Sequence, residues 1–565
     1  MTRPSTRQLV KRFALAIAPL VVVHSSLAQT IKDDVGYSAL LNQMGADTPN
    51  GAGVTIGIIE PAFVGRDNPD LTAWLPYPNM SDLSQTTLID SSGGSTADST
   101  HAARVSQFLF SQEDGLATGI VEANYYNLAD FIYNKFVPTT NYVGTLQPSA
   151  FLYSLGARVF DNQINNFSAI SSGNVDNAIQ LRRFDWATAH EDAINLVSAG
   201  NSSISVALFS SSYNSIYVGI TDGYGGKRTS AIDSLYNGLR QRPDIVTPMR
   251  NTSRGTAVAS SISSVLLEVA RDPTLTFSNV SPSDTLVNVR HAEKSEVMKA
   301  VLMAGADRET SNTRVNTFAK DTNSQPLLNE EGKRDYYTAD ITNYRAAGFR
   351  TDNGLDTRYG AGQANVFNSY QILTAGEQDS REDGGATWVS LFGFDYDEAF
   401  GNGAGDHDPN SIASYALPTL ESDVDFHITL AWNLDVYSGD GLFANALLYD
   451  LDLWLYDVTD DSEELVNAST SSLANTETIS QSLLAGRDYE FRVTTEKNVT
   501  ALLWDYAIAW RTEYTGEGEE LTAESLASPT TSAVFSANTQ AVPLPGALWL
   551  FLSALLGLIY RKLCF

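Results

Sequence analysis

Cysteine is almost absent from this chain of 565 residues, because its single cysteine, Cys564, is the penultimate residue. An internal disulfide is therefore excluded, and the folded domains must be held by their hydrophobic cores. Histidine is also scarce, and no cysteine–histidine cluster has the spacing of a zinc site. The sequence contains no phosphate-binding loop of the Walker type either.

Basic side chains are few relative to acidic ones. Lys and Arg total 36 against 66 Asp and Glu, which gives a net charge of -30 at pH 7. Nucleic-acid phosphates would be repelled by such a surface, so a nucleic-acid partner is not expected. The length and the 43% content of hydrophobic residues suit more than one globular domain.

The first 28 residues have the pattern of a signal peptide. A basic start precedes the apolar run Phe13–Val23, and Ser26-Leu27-Ala28 follows as a small-residue cleavage site. The run is too short to span a bilayer comfortably, although an uncleaved anchor is the alternative. The sequence therefore predicts an exported protein.

The next 350 residues, roughly, follow the pattern of an α/β domain. After a polar lead-in at 29–50, apolar strands alternate with helical stretches over 51–378, which predicts a parallel sheet. Near-continuous apolar runs at Val54–Ile59 and Ile194–Val197 indicate strands buried on both faces. Apolar residues spaced by three and four predict helices over 258–270 and 295–304.

The hydrophobic pattern changes after Glu377. A linker is predicted at 379–385, and strands in which every second residue is apolar follow at 424–432, 451–455 and 489–493. This alternation predicts a smaller antiparallel β-sandwich of jelly-roll type over 386–515. Residues 516–541 are rich in Ser, Thr, Ala and Glu and are predicted to be a flexible linker before a C-terminal segment at 542–565.

Three short blocks supply the groups that acyl transfer requires. The apolar strand from Gly53 ends on Glu60, His101 begins a predicted helix, and Ser253 stands just before a longer one. A carboxylate, an imidazole and a hydroxyl are the members of a Ser-His-acid triad. Glutamate can replace aspartate if the backbone withdraws by about 1.3–1.5 Å, the length of one methylene.

The order and setting of these blocks resemble the subtilisin-like serine peptidases (S8-type subtilases) over about residues 51–375. Five motifs of the family have counterparts in this chain, in the same order. They are the strand G-V-x-V-x-V-I-D at 53–60, the H-G-T-H-V-A block at 101–106, the A-G-N strand end at 199–201, the K-P-D-I-V-A-P string at 242–248 and the G-T-S-x-A-x-P motif at 251–257. The resemblance implies an α/β fold with a subtilisin-like parallel sheet flanked by helices. It also implies a serine endopeptidase with Glu60, His101 and Ser253 as catalytic residues, Asn201 in the oxyanion hole and polypeptides as substrates.

The same blocks depart from the family pattern at four places. These are Glu60 in place of aspartate, the 102–104 Ala-Ala-Arg run, Asn251 in place of glycine and Ala257 in place of proline. They motivate the alternative of a catalytically inactive subtilisin-like surface or matrix binding protein.

The residue assignments have alternatives of their own. Asp67 and Asp70 are the alternative acids, and a second register of the nucleophile motif puts Ala257 where the serine belongs. In addition, Thr252 and Ser253 have the residue types of a helix N-cap.

The C-terminal segment resembles the PEP-CTERM sorting tail of Gram-negative bacteria. Val542-Pro543-Leu544-Pro545 precedes an apolar span that ends at a basic Arg-Lys pair, with Pro-Leu-Pro in place of the usual Pro-Glu-Pro. The resemblance implies a transient membrane tether, an exosortase-like processing enzyme and a location in the cell envelope or outside the cell. A plain C-terminal membrane anchor is the alternative.

The proposed chemistry requires no cofactor. Acidic stretches at 403–408 and 457–463 offer oxygen ligands of the kind that Ca²⁺ prefers, and subtilases often carry structural calcium. Neither stretch has EF-hand spacing, so solvated acidic turns are the favoured interpretation.

Overall fold

The computed structural model describes residues 30–64, 71–77, 81–136, 159–168, 178–201, 209–223, 227–229, 231–272, 291–312, 340–401, 412–437, 445–495 and 504–515. The predicted signal peptide, the predicted linker at 516–541 and the C-terminal segment lie outside these residues. Within the described ranges no helix is long and apolar enough to cross a bilayer.

The helices of the described residues are α1 Ile31–Asp34, α2 Tyr37–Met44, α3 Thr100–Phe110, α4 Leu128–Lys135, α5 Ala178–His190, α6 Thr252–Ala270, α7 Ser295–Ala304 and α8 Val366–Ala375. The strands are β1 Ile56–Glu60, β2 Phe63–Val64, β3 Thr72–Ala73, β4 Thr87–Asp90, β5 Glu122–Asn127, β6 Ile164–Phe167, β7 Ile194–Ser198, β8 Ile216–Ile220, β9 Lys227–Arg228, β10 Gln241–Arg242, β11 Ile245–Thr247, β12 Gly393–Phe400, β13 Ile412–Ala416, β14 Val424–Ala431, β15 Asp435–Tyr437, β16 Asn445–Leu447, β17 Leu451–Asp457, β18 Glu464–Ser469, β19 Thr476–Leu483, β20 Tyr489–Thr495 and β21 Trp504–Tyr514.

The first part of the chain is built on a parallel sheet, as predicted. Its seven strands run in the order β11-β8-β7-β6-β1-β5-β4, and every neighbouring pair is parallel. Strands β1, β6, β7 and β8 are buried along their whole length, which agrees with the near-continuous apolar sequences of β1 and β7. Strand β6 is buried although it carries Asn165 and Asn166. Because the strands are parallel, their carboxyl ends meet at one edge of the sheet.

Helix α6 is the central helix of this part. It packs against β6, β7 and β8 and against α3, and it is buried over most of its length. Its small residues permit this close approach, and its buried serines donate to carbonyls one turn earlier, as Ser263 does to Ala259 at 2.9 Å. The helix begins at Thr252, six residues before the predicted start, because Asn251 caps it.

The second part is a sandwich of two antiparallel sheets, in agreement with the period-two pattern. Their strand orders are β12-β21-β14-β19 and β13-β20-β17-β18. Alternate residues such as Phe426, Leu453 and Phe491 are buried in the shared core. Both parts belong to one compact unit that ends at Thr515. They are joined by contacts such as the Arg511 guanidinium donating to the Ala304 and Ala306 carbonyls at 3.1 and 3.2 Å.

Two predicted connecting segments are instead packed structure. The lead-in forms α1 and α2; Val35 between them and Leu40 in α2 are buried. The Val366 N–H donates to the Val35 carbonyl at 2.9 Å. The predicted linker at 379–385 is a turn held on β13, where the Ser414 N–H donates to Glu382 Oε2 at 2.7 Å. Local composition is polar in both segments, and long-range contacts order them.

Candidate active site

Glu60 is placed by the sheet. It is the last residue of β1, which lies between β5 and β6, and its side chain is fully buried. Its Oε2 lies 2.5 Å from Nδ1 of His101. The carboxylate therefore reaches the imidazole although it is one methylene longer than the aspartate of the family pattern.

His101 is placed by the first turn of α3. Ser99 caps this helix by accepting from the Ala102 N–H at 3.1 Å, and the His101 side chain is 29% exposed. The ring of Phe63 lies beside the imidazole, with 5.6 Å between ring centroids. Because the Glu60 carboxylate accepts a hydrogen bond from Nδ1–H of His101, the neutral ring carries its proton on Nδ1. Nε2 is then free of a proton and can accept one.

The pKa of His101 is raised above its ordinary value by competing effects. Burial is the largest effect and lowers the pKa, but the charge of Glu60 and its hydrogen bond together raise it by more. The positive charges of Arg254 and Arg104 act with burial to lower the His101 pKa, but their effects are smaller than those of Glu60. The imidazole is thus a stronger base than a free histidine.

Ser253 lies in the first turn of α6 and is almost fully buried. It is not the N-cap, because Asn251 Oδ1 accepts from the Arg254 N–H at 3.0 Å, so the capping alternative for Ser253 is wrong. The Ser253 hydroxyl donates to the Ser168 carbonyl at 2.9 Å, and the Ser168 hydroxyl donates back to the Ser253 carbonyl at 3.0 Å. Among the described residues no hydrogen bond joins Ser253 to His101.

Asn201 follows β7, and Thr252 fixes its orientation. Its Oδ1 accepts from the Thr252 N–H at 2.8 Å and from the Thr252 hydroxyl at 3.0 Å. Because a backbone N–H can only donate, the amide oxygen must face Thr252. The donating NH₂ group of Asn201 is consequently turned away from the helix.

One cleft of about 320 Å³ brings these groups together. His101, Asn201 and Ser253 all line it, and Glu60 touches the imidazole. Ala257, the alternative of the second register, is fully buried and is not part of the cleft lining. Asp67 and Asp70 lie outside the described residues.

Two further cleft residues, Phe63 and Arg254, were not singled out from the sequence. Phe63 is 45% exposed in the short hairpin after Glu60, and Arg254 directly follows Ser253. Their positions beside the motif residues are the signal that could have found them. Ser168 directly follows β6, and its contact with Ser253 depends on folding that joins residues 85 positions apart.

The acidic stretches show no cation site in the part of the chain that the structure describes. Asp457 pairs with Arg487 and accepts from the Thr459 N–H at 3.0 Å, so it is engaged within the protein. Residues 403–408 lie outside the described ranges. Across those ranges no group of three or more His, Cys, Asp or Glu residues could hold a metal ion.

Comparisons with known proteins give only distant similarities. No protein-family profile matches the sequence, and no curated protein matches it. Solved structures similar to the chain include a cold adapted subtilisin-like serine proteinase (10% identity, 51% of this chain, 90% of that one, TM-score 0.26). They also include the serine protease MycP1 of the type VII (ESX-1) secretion system (13%, 62%, 90%, TM-score 0.29). A third is the pre-peptidase C-terminal domain of a Bacillus anthracis collagenase (14%, 22%, 91%, TM-score 0.15). At these TM-scores the similarities assign neither a family nor an activity to the chain.

Proposed function

We propose that the chain is a serine endopeptidase that hydrolyses peptide bonds through an acyl-enzyme. His101 Nε2 takes the proton of the Ser253 hydroxyl as Oγ attacks the peptide carbonyl carbon. The tetrahedral oxyanion accepts hydrogen bonds from the Asn201 NH₂ group and the Ser253 N–H. His101 then passes its proton to the departing amine, and water hydrolyses the ester by the same route in reverse.

The observation that carries this proposal is the 2.5 Å contact between buried Glu60 and His101 in a cleft that Ser253 also lines. The contact holds the imidazole in the tautomer that general-base catalysis needs and stabilises the imidazolium formed during attack. Two helix N-termini, those of α3 and α6, supply His101 and Ser253 to this cleft, and their positive ends favour a developing oxyanion.

The Ser253 hydroxyl must change partner before it reacts. It donates to the Ser168 carbonyl, so rotation about χ1 of Ser253 has to bring Oγ towards Nε2. Exchanging one neutral hydrogen bond for another costs on the order of 1 kcal/mol, which is small beside a catalytic barrier.

A second candidate function is favoured by the same Ser253–Ser168 bond. If the hydroxyl stays on the Ser168 carbonyl, the chain is an inactive subtilisin-like scaffold that binds partners on the cell surface or in a matrix. The four departures from the family pattern agree with that reading. The two candidates differ in one property, namely turnover.

Hydrolysis of an unfolded protein separates them. Incubation of the purified protein with denatured casein should generate new peptide N-termini, and Ser253→Ala and His101→Ala should each abolish them. Cleavage that persists in Ser253→Ala would assign the activity to a contaminant. Absence of cleavage by the unaltered protein across pH 6–10 would favour the inactive scaffold.

We further propose that the protein is exported from a Gram-negative bacterium, loses residues 1–28 and is transiently tethered by its C-terminal segment. The basic start, the apolar run and the small-residue site support export, and the Pro-Leu-Pro tail supports processing by an exosortase-like enzyme. The intact mass of the protein recovered from its native cell envelope tests both cleavages, that of residues 1–28 and that of the C-terminal segment. Retention of residues 1–28 or 542–565 would contradict the respective cleavage.

A further inference from the structure

The described residues that line the cleft are basic, whereas the chain as a whole is acidic. The protein carries 66 acidic residues against 36 basic ones, yet the described residues that line the cleft include Arg104 and Arg254 and no carboxylate. Unlike charges attract more strongly in a concave, partly desolvated site than on an open surface, so a cleft lined in this way attracts anionic groups.

Helix geometry places Arg104 beside the reacting groups. It lies three residues after His101 on α3, and residues at this spacing share one helix face. Its side chain is exposed, and within the described part of the chain no carboxylate forms an ion pair with it. Arg254 joins it from the first turn of α6, where its guanidinium lies 5.9 Å from the ring centre of Phe108.

The position of these arginines relative to His101 defines which half of a substrate they meet. In acyl transfer the imidazole gives its proton to the departing amine, so that amine must lie at Nε2. Arg104 and Arg254 line the same cleft as His101, which brings them within reach of the residues that follow this amine in a bound peptide. The Asn201 amide faces the oxyanion instead.

We propose that Arg104, assisted by Arg254, selects polypeptides that carry an acidic side chain just after the scissile bond. The inference rests on the proposed peptidase function and adds a substrate class to it. Phe63, exposed beside His101 and lining the same cleft, supplies an apolar surface next to the two cations.

Cleavage-site profiling tests this proposal. A mixed library of unstructured peptides is digested with the protein, and the two residues after each new cleavage are read by mass spectrometry. We expect Asp and Glu to be enriched there by up to about fivefold, the upper limit for an exposed ion pair. In 1 M NaCl, where the screening length is roughly 3 Å, the enrichment should fall towards one.

Variants of Arg104 make the test specific. Arg104→Gln should remove most of the enrichment, and Arg104→Glu should reverse it in favour of Lys and Arg. Arg271→Gln is the control, because it removes the same charge just after the far end of α6, about 26 Å from Arg254 along the helix. It should keep the enrichment of the unaltered protein.

The outcomes separate the proposal from the function on which it depends. Cleavage without acidic enrichment, or with equal enrichment in Arg104→Gln, overturns the substrate class and leaves the peptidase standing. A product list identical to that of Ser253→Ala removes the peptidase and the substrate class together.

Discussion

Replacing Glu60 by glutamine keeps the length of the side chain and removes its charge. Glu60 is fully buried and lies 2.5 Å from Nδ1 of His101. Taking the two charge centres as about 4 Å apart at an effective dielectric constant of about 20, the carboxylate stabilises the imidazolium by about 4 kcal/mol. Loss of that attraction should lower kcat/KM by about a thousandfold.

The aspartate variant is the matched control, since it keeps the charge and shortens the reach. Glu60→Asp withdraws the carboxylate by about 1.5 Å and opens the contact to roughly 4 Å. We expect a smaller loss than in Glu60→Gln, because the charge remains close to the ring. Initial rates on a fluorogenic peptide, measured for the three proteins at equal concentration, give the comparison.

The pH dependence supplies a second readout of the same contact. Glu60 raises the pKa of His101, and activity requires the neutral imidazole, so activity is lost as the pH falls through that raised pKa. In Glu60→Gln the acidic limb should therefore move to lower pH while the plateau falls. Activity of Glu60→Gln equal to that of the unaltered protein, with an unmoved limb, would refute the role of Glu60.

Three other predictions concern different contacts. Asn201→Ala should lower kcat by about 10²–10³ with little change in KM, because it removes one oxyanion donor; a change confined to KM would contradict this. Glu268→Gln should lower the free energy of unfolding, measured by urea denaturation, by about 2 kcal/mol. The reason is that Oε2 of Glu268 accepts from the Asn50 and Gly51 N–H groups, each at 2.6 Å. An unchanged urea midpoint would show that these hydrogen bonds do not hold the lead-in in place. Burial, then the charges of Asp505 and Asp192, raise the pKa of Glu296 to about 8. As the pH rises, the unfolded chain therefore loses this proton at a lower pH than the folded chain does. The free energy of unfolding should fall as the pH rises from about 4.5 to about 8. Glu296→Gln should flatten that fall in thermal melts, and an equal fall in the variant would exclude Glu296 as its source.

Local sequence was sufficient for the parts of the site that end regular elements. An apolar strand that stops at Glu60, and a second that ends before Asn201, predicted side chains at one edge of a parallel sheet, since all such strands end there. His101 was predicted at a helix start and lies in the first turn of α3. These predictions depend on patterns within about ten residues of the side chain concerned.

The contacts that depend on distant residues were beyond the sequence. The hydrogen bond of Ser253 to the Ser168 carbonyl reflects one side-chain rotamer in a packed site, and no spacing encodes a rotamer. The helices of the lead-in, α1 and α2, are short, and short helices form through tertiary packing rather than propensity. Their partner α8 lies more than 300 residues further along the chain.

Labelling with a fluorophosphonate tests the central claim most directly, because the probe reacts with a serine only when a base activates it. The account predicts a single phosphonyl group on Ser253, located by fragmentation of the tryptic peptide 251–254, with a labelling rate that drops in His101→Ala and in Glu60→Gln. No label on the folded protein, or a label that survives in Ser253→Ala, would contradict it.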